Sequence, residues 1–200
     1  MHTAYIGLGA NLPSPVGPPD VTLVAAAARL ASLGQLSARS SLFSTAPVGY
    51  ADQARFLNAV IALETDRAPR DLLDNLLSIE REFGRDRSAG IPNGPRTLDL
   101  DILMLGDLCL SEAGLEIPHP RLAERAFVLV PLNEIAPQAI DPRHSKTVAQ
   151  LLQALLESRK GDTDAVVQFQ SDAWSAGAGR SAADSHAAQR TDLNADRNHR

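Results

Sequence analysis

Gly94-Pro95-Arg96-Thr97-Leu98-Asp99-Leu100-Asp101-Ile102-Leu103-Met104 sets two aspartates, two residues apart, inside a run of leucine, isoleucine and methionine. A short apolar run of this kind reads as a buried β-strand. Strand side chains alternate between faces, which puts Asp99 and Asp101 on one face and Leu98, Leu100 and Ile102 on the other. A carboxylate buried without a partner is costly, and two adjacent ones repel each other. The strand needs positive charge beside it. Mg²⁺ takes oxygen ligands and binds through one or two carboxylates plus substrate phosphates, so the pattern points to a metal–phosphate site.

The flanking sequence supplies the rest of a sheet. Residues 3–8 read as a first strand and residues 9–19, rich in Pro and Gly, as a loop. Asp20 is the expected N-cap of a helix over 21–33, stopped by Gly34. Residues 36–45 and 56–64 read as strands joined by a loop over 46–55. Pro69 suits the first turn of a second helix, which ends before Gly84 and buries Leu72, Leu76, Ile79 and Phe83. Short helices are expected over 122–134 and 148–158. The order strand-helix-strand-strand-helix-strand predicts an α+β fold with a ferredoxin-like βαββαβ core, an antiparallel sheet with helices on its faces.

The chain has 200 residues, 44% of them hydrophobic, enough for one core. The compact domain is expected over 1–160. Residues 161–200, rich in Ala, Ser, Gly, Asp and Arg, read as a low-complexity, disordered tail. The net charge of -5 argues against a nucleic-acid binder. No apolar run reaches the ~18 residues of a membrane span, and no signal peptide is visible. A single cysteine, Cys109, suits a reducing compartment and a packing role. The expectation is a cytoplasmic monomer that acts on small molecules.

Cations gather in sequence around the aspartate strand. Arg85 and Arg87 follow the second helix, Arg96 precedes the strand, and His119 and Arg125 lie downstream. Guanidinium groups grip phosphate oxygens bidentately and keep their charge. A triphosphate with its metal ions accounts for the whole set. The P-loop and protein-kinase signatures are absent from the sequence. Gly7-Leu8-Gly9 is too short for a dinucleotide fingerprint and reads as relief of a crowded turn.

Several segments in the same order resemble the 6-hydroxymethyl-7,8-dihydropterin pyrophosphokinase family of folate biosynthesis. The resemblance covers residues 4–158. Its strongest part is Gly94 to Leu103. It is joined by Ala4-Tyr5-Ile6-Gly7-Leu8-Gly9-Ala10-Asn11-Leu12, Thr45-Ala46-Pro47-Val48-Gly49, Phe56-Leu57-Asn58-Ala59, Gly84-Arg85-Asp86-Arg87, Ile117-Pro118-His119-Pro120-Arg121 and Arg125-Ala126-Phe127-Val128-Leu129-Val130-Pro131-Leu132.

The resemblance implies transfer of diphosphate from ATP to the hydroxymethyl group of the reduced pterin, with release of AMP. Two Mg²⁺ ions are implied on Asp99 and Asp101. Arg85, Arg87, Arg96, Asp99 and Asp101 match catalytic positions. Leu73, Arg87, Ile102, His119 and Arg125 match ATP-binding ones. Thr45, Val48, Phe56, Asn58 and Phe127 match pterin-binding ones. Glu80 matches a family acidic residue and is expected to pair with a nearby arginine or to lie at the edge of the helix surface. Many family members carry a Lys or Arg and a Trp before Gly-Pro-Arg, in a loop that closes over the nucleotide. Here those places hold Pro92 and Asn93. Two other readings stay open: a different Mg²⁺-dependent nucleotide-using transferase, and a non-catalytic ferredoxin-like binding domain.

Overall fold

A computed structural model describes residues 1–50, 52–87, 93–159 and 166–176. The architecture is mixed α/β around an antiparallel sheet. In chain order the elements are β1 (His2–Ala10), α1 (Pro19–Leu30), β2 (Gln35–Arg39), β3 (Leu42–Thr45), β4 (Phe56–Thr65), α2 (Pro69–Glu82) and β5 (Asp99–Leu105). There follow β6 (Leu110–Glu112), β7 (Leu115–Ile117), a 3₁₀ turn (Leu122–Glu124), α3 (Ala126–Ile135), β8 (Ile140–Asp141), β9 (Lys146–Thr147), α4 (Val148–Ser158), β10 (Val167–Phe169) and α5 (Asp172–Ala176). The sheet runs β10-β3-β4-β1-β5, with β2 also pairing β4.

Alternation along the strands divides the core between two faces. Ala4, Ile6 and Leu8 of β1 pack with Ala59, Ile61 and Leu63 of β4 and Leu100 and Ile102 of β5 under α1 and α2. Leu72, Leu76, Ile79 and Phe83, the expected stripe, lie in this cluster. On the opposite face Val60, Leu103 and Met104 pack with Leu129 and Leu132 of α3 and Leu151 and Leu155 of α4. The β1–β5 register slips between Tyr5 and Ile6, which pair with Met104 and Ile102. Leu103 is the extra residue of a bulge, so the alternation of β5 changes phase after it.

Several expectations are corrected. The strand expected over 36–45 is two. Ser40 leaves the regular ladder: its amide donates to the Val60 carbonyl and its hydroxyl accepts from the Val60 amide, each at 2.9 Å. Glu134 then holds the Ser41 amide and hydroxyl. The first helix starts at Pro19 with Pro18 as N-cap. Asp20 lies inside its first turn, where its carboxylate accepts from the Ser171 hydroxyl at 2.9 Å. The helix expected over 122–134 is broken at Arg125, whose backbone is extended (φ -114, ψ 106). Cys109 is exposed, just beyond the turn that leaves β5. No helix among the described residues is long and apolar enough to cross a membrane.

The domain boundary expected at 160 also changes. β10 adds to the outer edge of β3, pairing Val167, Gln168 and Phe169 with Ser44, Phe43 and Leu42. Trp174 is 5% exposed and belongs to the core beneath α1. Its indole N–H donates to the Ser40 carbonyl at 2.9 Å, and the Arg39 guanidinium stacks 4.1 Å from its ring centre. One large aromatic with a satisfied polar atom repays the ordering of a polar segment. Residues 161–165 and 177–200 of the expected tail lie outside the described residues.

Trp174→Ala is therefore expected to cost about 3 kcal/mol, roughly 6–12 °C in Tm. Truncation after residue 165 should cost at least as much. Truncation after residue 176 should leave Tm unchanged, because the removed sequence has little apolar surface to bury. Thermal unfolding followed by circular dichroism measures all three, and an unchanged Tm for Trp174→Ala would show that the docked segment adds nothing.

Candidate active site

Three strands lay a small-residue floor. Gly9 of β1 stands opposite Asn58 of β4 on one side and Asp99 of β5 on the other. One pleat further, Gly7 stands opposite Val60 and Asp101. A Cβ on Gly9 would come within 3.1 Å of Asn58 Oδ1, and one on Gly7 within 3.3 Å of Leu103 Cδ2. Both glycines thus sit mid-strand and clear space above the sheet, which corrects their reading as turn residues. The cavity over this floor is about 260 Å³. Arg85, Arg87, Arg96, Asp99, Asp101, His119 and Arg125 line it together with Thr45, Val48, Phe56, Asn58 and Phe127.

The charged wall is a network. Arg96 donates to Asp99 Oδ2 at 2.7 Å, while Arg85 and Arg87 approach Asp99 Oδ1 at 3.5 and 3.9 Å. Arg87 also grips Glu80, with Nε to Oε2 at 2.9 Å and NH2 to Oε1 at 2.8 Å. Glu80 is 1% exposed, and its Oε1 accepts the Leu100 amide of β5 at 2.9 Å. Burial pushes the Glu80 carboxyl above its usual range, against the pull of that amide and of Arg87. Of the two readings of Glu80, the ion pair is the one found, and the residue is buried as well. Arg85 Nε is buried with no hydrogen-bond partner.

Asp101 has no such guanidinium clamp. Burial, then the charge of Asp99, push its carboxyl up to about 6, with Arg125 pulling the other way. Among the described residues no three His, Cys, Asp or Glu side chains stand together as a closed metal cage. The crowded pair instead offers hard oxygen donors and leaves other coordination positions to phosphate and water, which suits Mg²⁺.

His119 is poised as a neutral donor. Burial, then the charges of Arg125 and Arg121, lower its pKa to about 4. Its Nδ1 accepts the Arg121 amide at 3.1 Å, so the ring proton is left on Nε2. Its own amide donates to the carbonyl of Leu103, the bulged residue, at 2.9 Å. The bulge anchors the His119 segment to the sheet.

On the aromatic wall, Asn58 Nδ2 donates to Thr45 Oγ1 at 2.7 Å, which turns Oδ1 towards the Gly9 floor. Arg96 lies 5.1 Å from the Phe56 ring centre and Arg125 lies 5.4 Å from that of Phe127. Each ring is thus tied to an arginine that lines the same cavity.

Two expected ATP-binding residues stand apart from the cavity. Ile102 is buried on the opposite face of β5 in the α1–α2 core, and Leu73 of α2 packs against that same core. The closing loop is described only at Asn93, since 88–92 lie outside the described residues. Four contributors carried no assigned role in the sequence: Gly7, Gly9, Arg121 and Asn11. Asn11 is 5% exposed and links three segments. Its Nδ2 donates to Gln53 Oε1 and the Ala54 carbonyl, both at 3.0 Å, and its Oδ1 accepts the Arg96 amide at 2.7 Å. Gln53 in turn donates to the Tyr50 and Asn93 carbonyls. Position alone betrays Asn11: a buried amide at the end of a strand needs several partners.

A carboxylate pair among arginines, sharing one cavity with two aromatic rings, is the kind of site found in transferases that use phosphorylated substrates. The sequence model of the 7,8-dihydro-6-hydroxymethylpterin-pyrophosphokinase (HPPK) family matches residues 5–137. A 2-amino-4-hydroxy-6-hydroxymethyldihydropteridine pyrophosphokinase of Pseudomonas aeruginosa is 46% identical over 146 residues, 72% of this chain and 88% of that one. Its Synechocystis counterpart is 42% identical over 154 residues, 76% of this chain and 75% of that one. The solved structure of wild-type Plasmodium falciparum HPPK-DHPS shares the fold, with a TM-score of 0.61 at 15% identity over 80% of this chain. The match spans 45% of that longer chain. The chain belongs to the HPPK family, the ATP-dependent diphosphotransferases that act on hydroxymethyldihydropterin in folate biosynthesis.

The Asp101 shift makes a signed prediction for the metal-free protein. A carboxyl raised from 3.8 to about 6 contributes stability below the lower value and loses it as pH rises through the upper one. Asp101→Asn should match the parent in Tm near pH 4 and exceed it above pH 6. Mg²⁺ with a non-hydrolysable ATP analogue should reverse that order. A Tm difference that stays flat with pH would remove the crowded-carboxylate account.

Proposed function

We propose that this cavity transfers diphosphate from ATP to the hydroxymethyl oxygen of 6-hydroxymethyl-7,8-dihydropterin, with the triphosphate on the arginine wall and the pterin between Phe56 and Phe127. The observation that carries this reading is one cavity lined together by arginines, the aspartate pair, Phe56 and Phe127. Asn58 Oδ1 and the backbone near Thr45 and Val48 meet the polar edge of the ring. Asp99 and Asp101 would hold two Mg²⁺ ions, which would supply screening of the triphosphate charge.

Arg85, Arg87, Arg96 and Arg125 hold phosphate oxygens, and neutral His119 donates from Nε2 without adding charge. Their task is alignment. The attacking hydroxymethyl oxygen and the leaving AMP oxygen must lie in line through the β-phosphorus. As the new oxygen–phosphorus bond forms, the bond to the α,β-bridging oxygen breaks and AMP carries that oxygen away. Leu73 and Ile102 stay on the ATP side of this reading only through the elements that carry them, α2 and β5, since both side chains pack in the α1–α2 core. The βαββαβ ferredoxin-like description of the core is part of the same reading. It is supported by the order β3-β4-β1-β5 with α1 and α2 on one face, β2 and β3 together serving as one split strand. The protein acts as a soluble monomer on these two small molecules.

Asp99→Ala or Asp101→Ala should abolish AMP formation from ATP, Mg²⁺ and the hydroxymethyl pterin while leaving a cooperative unfolding transition. Near-parental turnover by either variant at limiting Mg²⁺ would overturn the metal assignment. AMP formation that needs no pterin would favour a different nucleotide-using transferase.

Binding should also be ordered, nucleotide first. Asn11 and Gln53 tie the pterin-side loop to the segment at Asn93 and Arg96, so ordering one side removes part of the cost of ordering the other. Pterin affinity should rise about 5–150-fold once Mg²⁺ and an ATP analogue are bound. Calorimetric titration with and without the analogue measures this, and equal affinities would remove the coupling.

A further inference from the structure

The turn between β8 and β9 is built with more care than a surface connection requires. Asp141 is 1% exposed. Its Oδ1 accepts the Arg143 amide at 2.9 Å, its Oδ2 lies 2.6 Å from His144 Nδ1, and its carbonyl accepts the Ser145 amide at 2.8 Å. One buried carboxylate thus fixes the direction in which Arg143 leaves the turn. Arg143 is an exposed residue whose guanidinium folds back onto the end of β7. Its NH2 donates to Glu116 Oε1 at 2.7 Å and to the Pro118 carbonyl at 2.8 Å.

Those two acceptors bracket the approach to His119. The segment is held on its other side by the bond from the His119 amide to the Leu103 carbonyl. The backbone leading to the imidazole is therefore clamped between the bulge of β5 and a guanidinium from a hairpin that does not line the cavity. A peptide carbonyl with a charged donor loses rotational freedom, and the next residue inherits that restriction. Glu116 is neutralised by the same group, so its charge is not left unpaired beside the histidine.

We infer that Arg143, oriented by buried Asp141, is a positioning residue that holds the Pro118–His119 segment so that His119 meets the nucleotide phosphates. This rests on the proposed role of His119 and extends it to a group outside the cavity. Arg143 touches no substrate, so its effect reaches the reaction only through His119.

The test is a double-mutant cycle on the whole chain, Arg143→Met and His119→Ala alone and together, with KM for ATP, kcat and Tm measured for each. Arg143→Met should raise KM for ATP about fivefold to tenfold and change kcat by less than about twofold. In the His119→Ala background the same substitution should leave KM unchanged. Arg143→Lys, which keeps a charged donor, should recover part of the loss. The ¹⁵N resonances of the His119 ring should move in Arg143→Met, a change that a purely structural tie would not produce. Equal effects on KM in both backgrounds, or no effect where His119→Ala is itself harmful, would overturn the inference. If His119→Ala leaves KM for ATP unchanged, the assignment of His119 to the nucleotide falls. The ring resonances then decide the inference, and unmoved signals overturn it.

Discussion

Charge balance at the start of β5 governs the rest of this molecule. Asp99 and Asp101 leave the sheet side by side and Glu80 reaches it from α2, so three carboxylates converge where little water enters. Left alone they would repel one another and pay for desolvation. Arg96 answers Asp99 and Arg87 answers Glu80, while Arg85 stands 3.5 Å from Asp99 and Arg125 is within reach of both aspartates. Guanidinium groups hold their charge even when burial lowers their pKa, as it does for Arg85 and Arg125. The resulting wall is positive enough for a triphosphate, yet keeps in Asp101 one carboxyl whose ionised form is not fully compensated. That residual cost favours a cation.

The aspartate strand was legible because its information is local. Two acids in an apolar run need only the period of a strand to be placed on one face, and Leu72, Leu76, Ile79 and Phe83 need only the period of a helix. The helix Val148–Ser158 agrees with the short helix expected over 148–158, and the structure shows Thr147 and Gln150 capping its start reciprocally. The family resemblance supplied what periodicity does not, the assignment of Phe56, Asn58 and Phe127 to a heterocycle. By residue type alone the two rings are ordinary core.

What remained hidden depends on distant neighbours. Gly7 and Gly9 looked like turn residues, because nothing near them in sequence says that Asn58 and Asp99 flank them across the sheet. The bulge at Leu103 follows from how β5 meets β1, which no single strand encodes. Trp174 sits in a polar stretch, and its value lies in Ser40, Arg39 and α1, all more than a hundred residues away. Ile102 shows the opposite case: the family resemblance assigned it to ATP, while strand alternation, in the sequence as in the structure, puts it on the face away from the aspartates.

The bond from the Leu100 amide to Glu80 has a consequence for solubility. β5 is the last strand of the sheet on its side, and the outer amides of a last strand are sites at which another polypeptide can add itself. Glu80 occupies the Leu100 amide with a side chain that cannot continue a ladder, and the Arg87 guanidinium stands over it. A second chain bonding to the Leu100 amide would first have to displace Glu80, a buried carboxylate paired with half-exposed Arg87. The group that pairs with Arg87 therefore also keeps the sheet finite. Loss of Glu80 would be felt in concentrated solution as self-association as well as in catalysis.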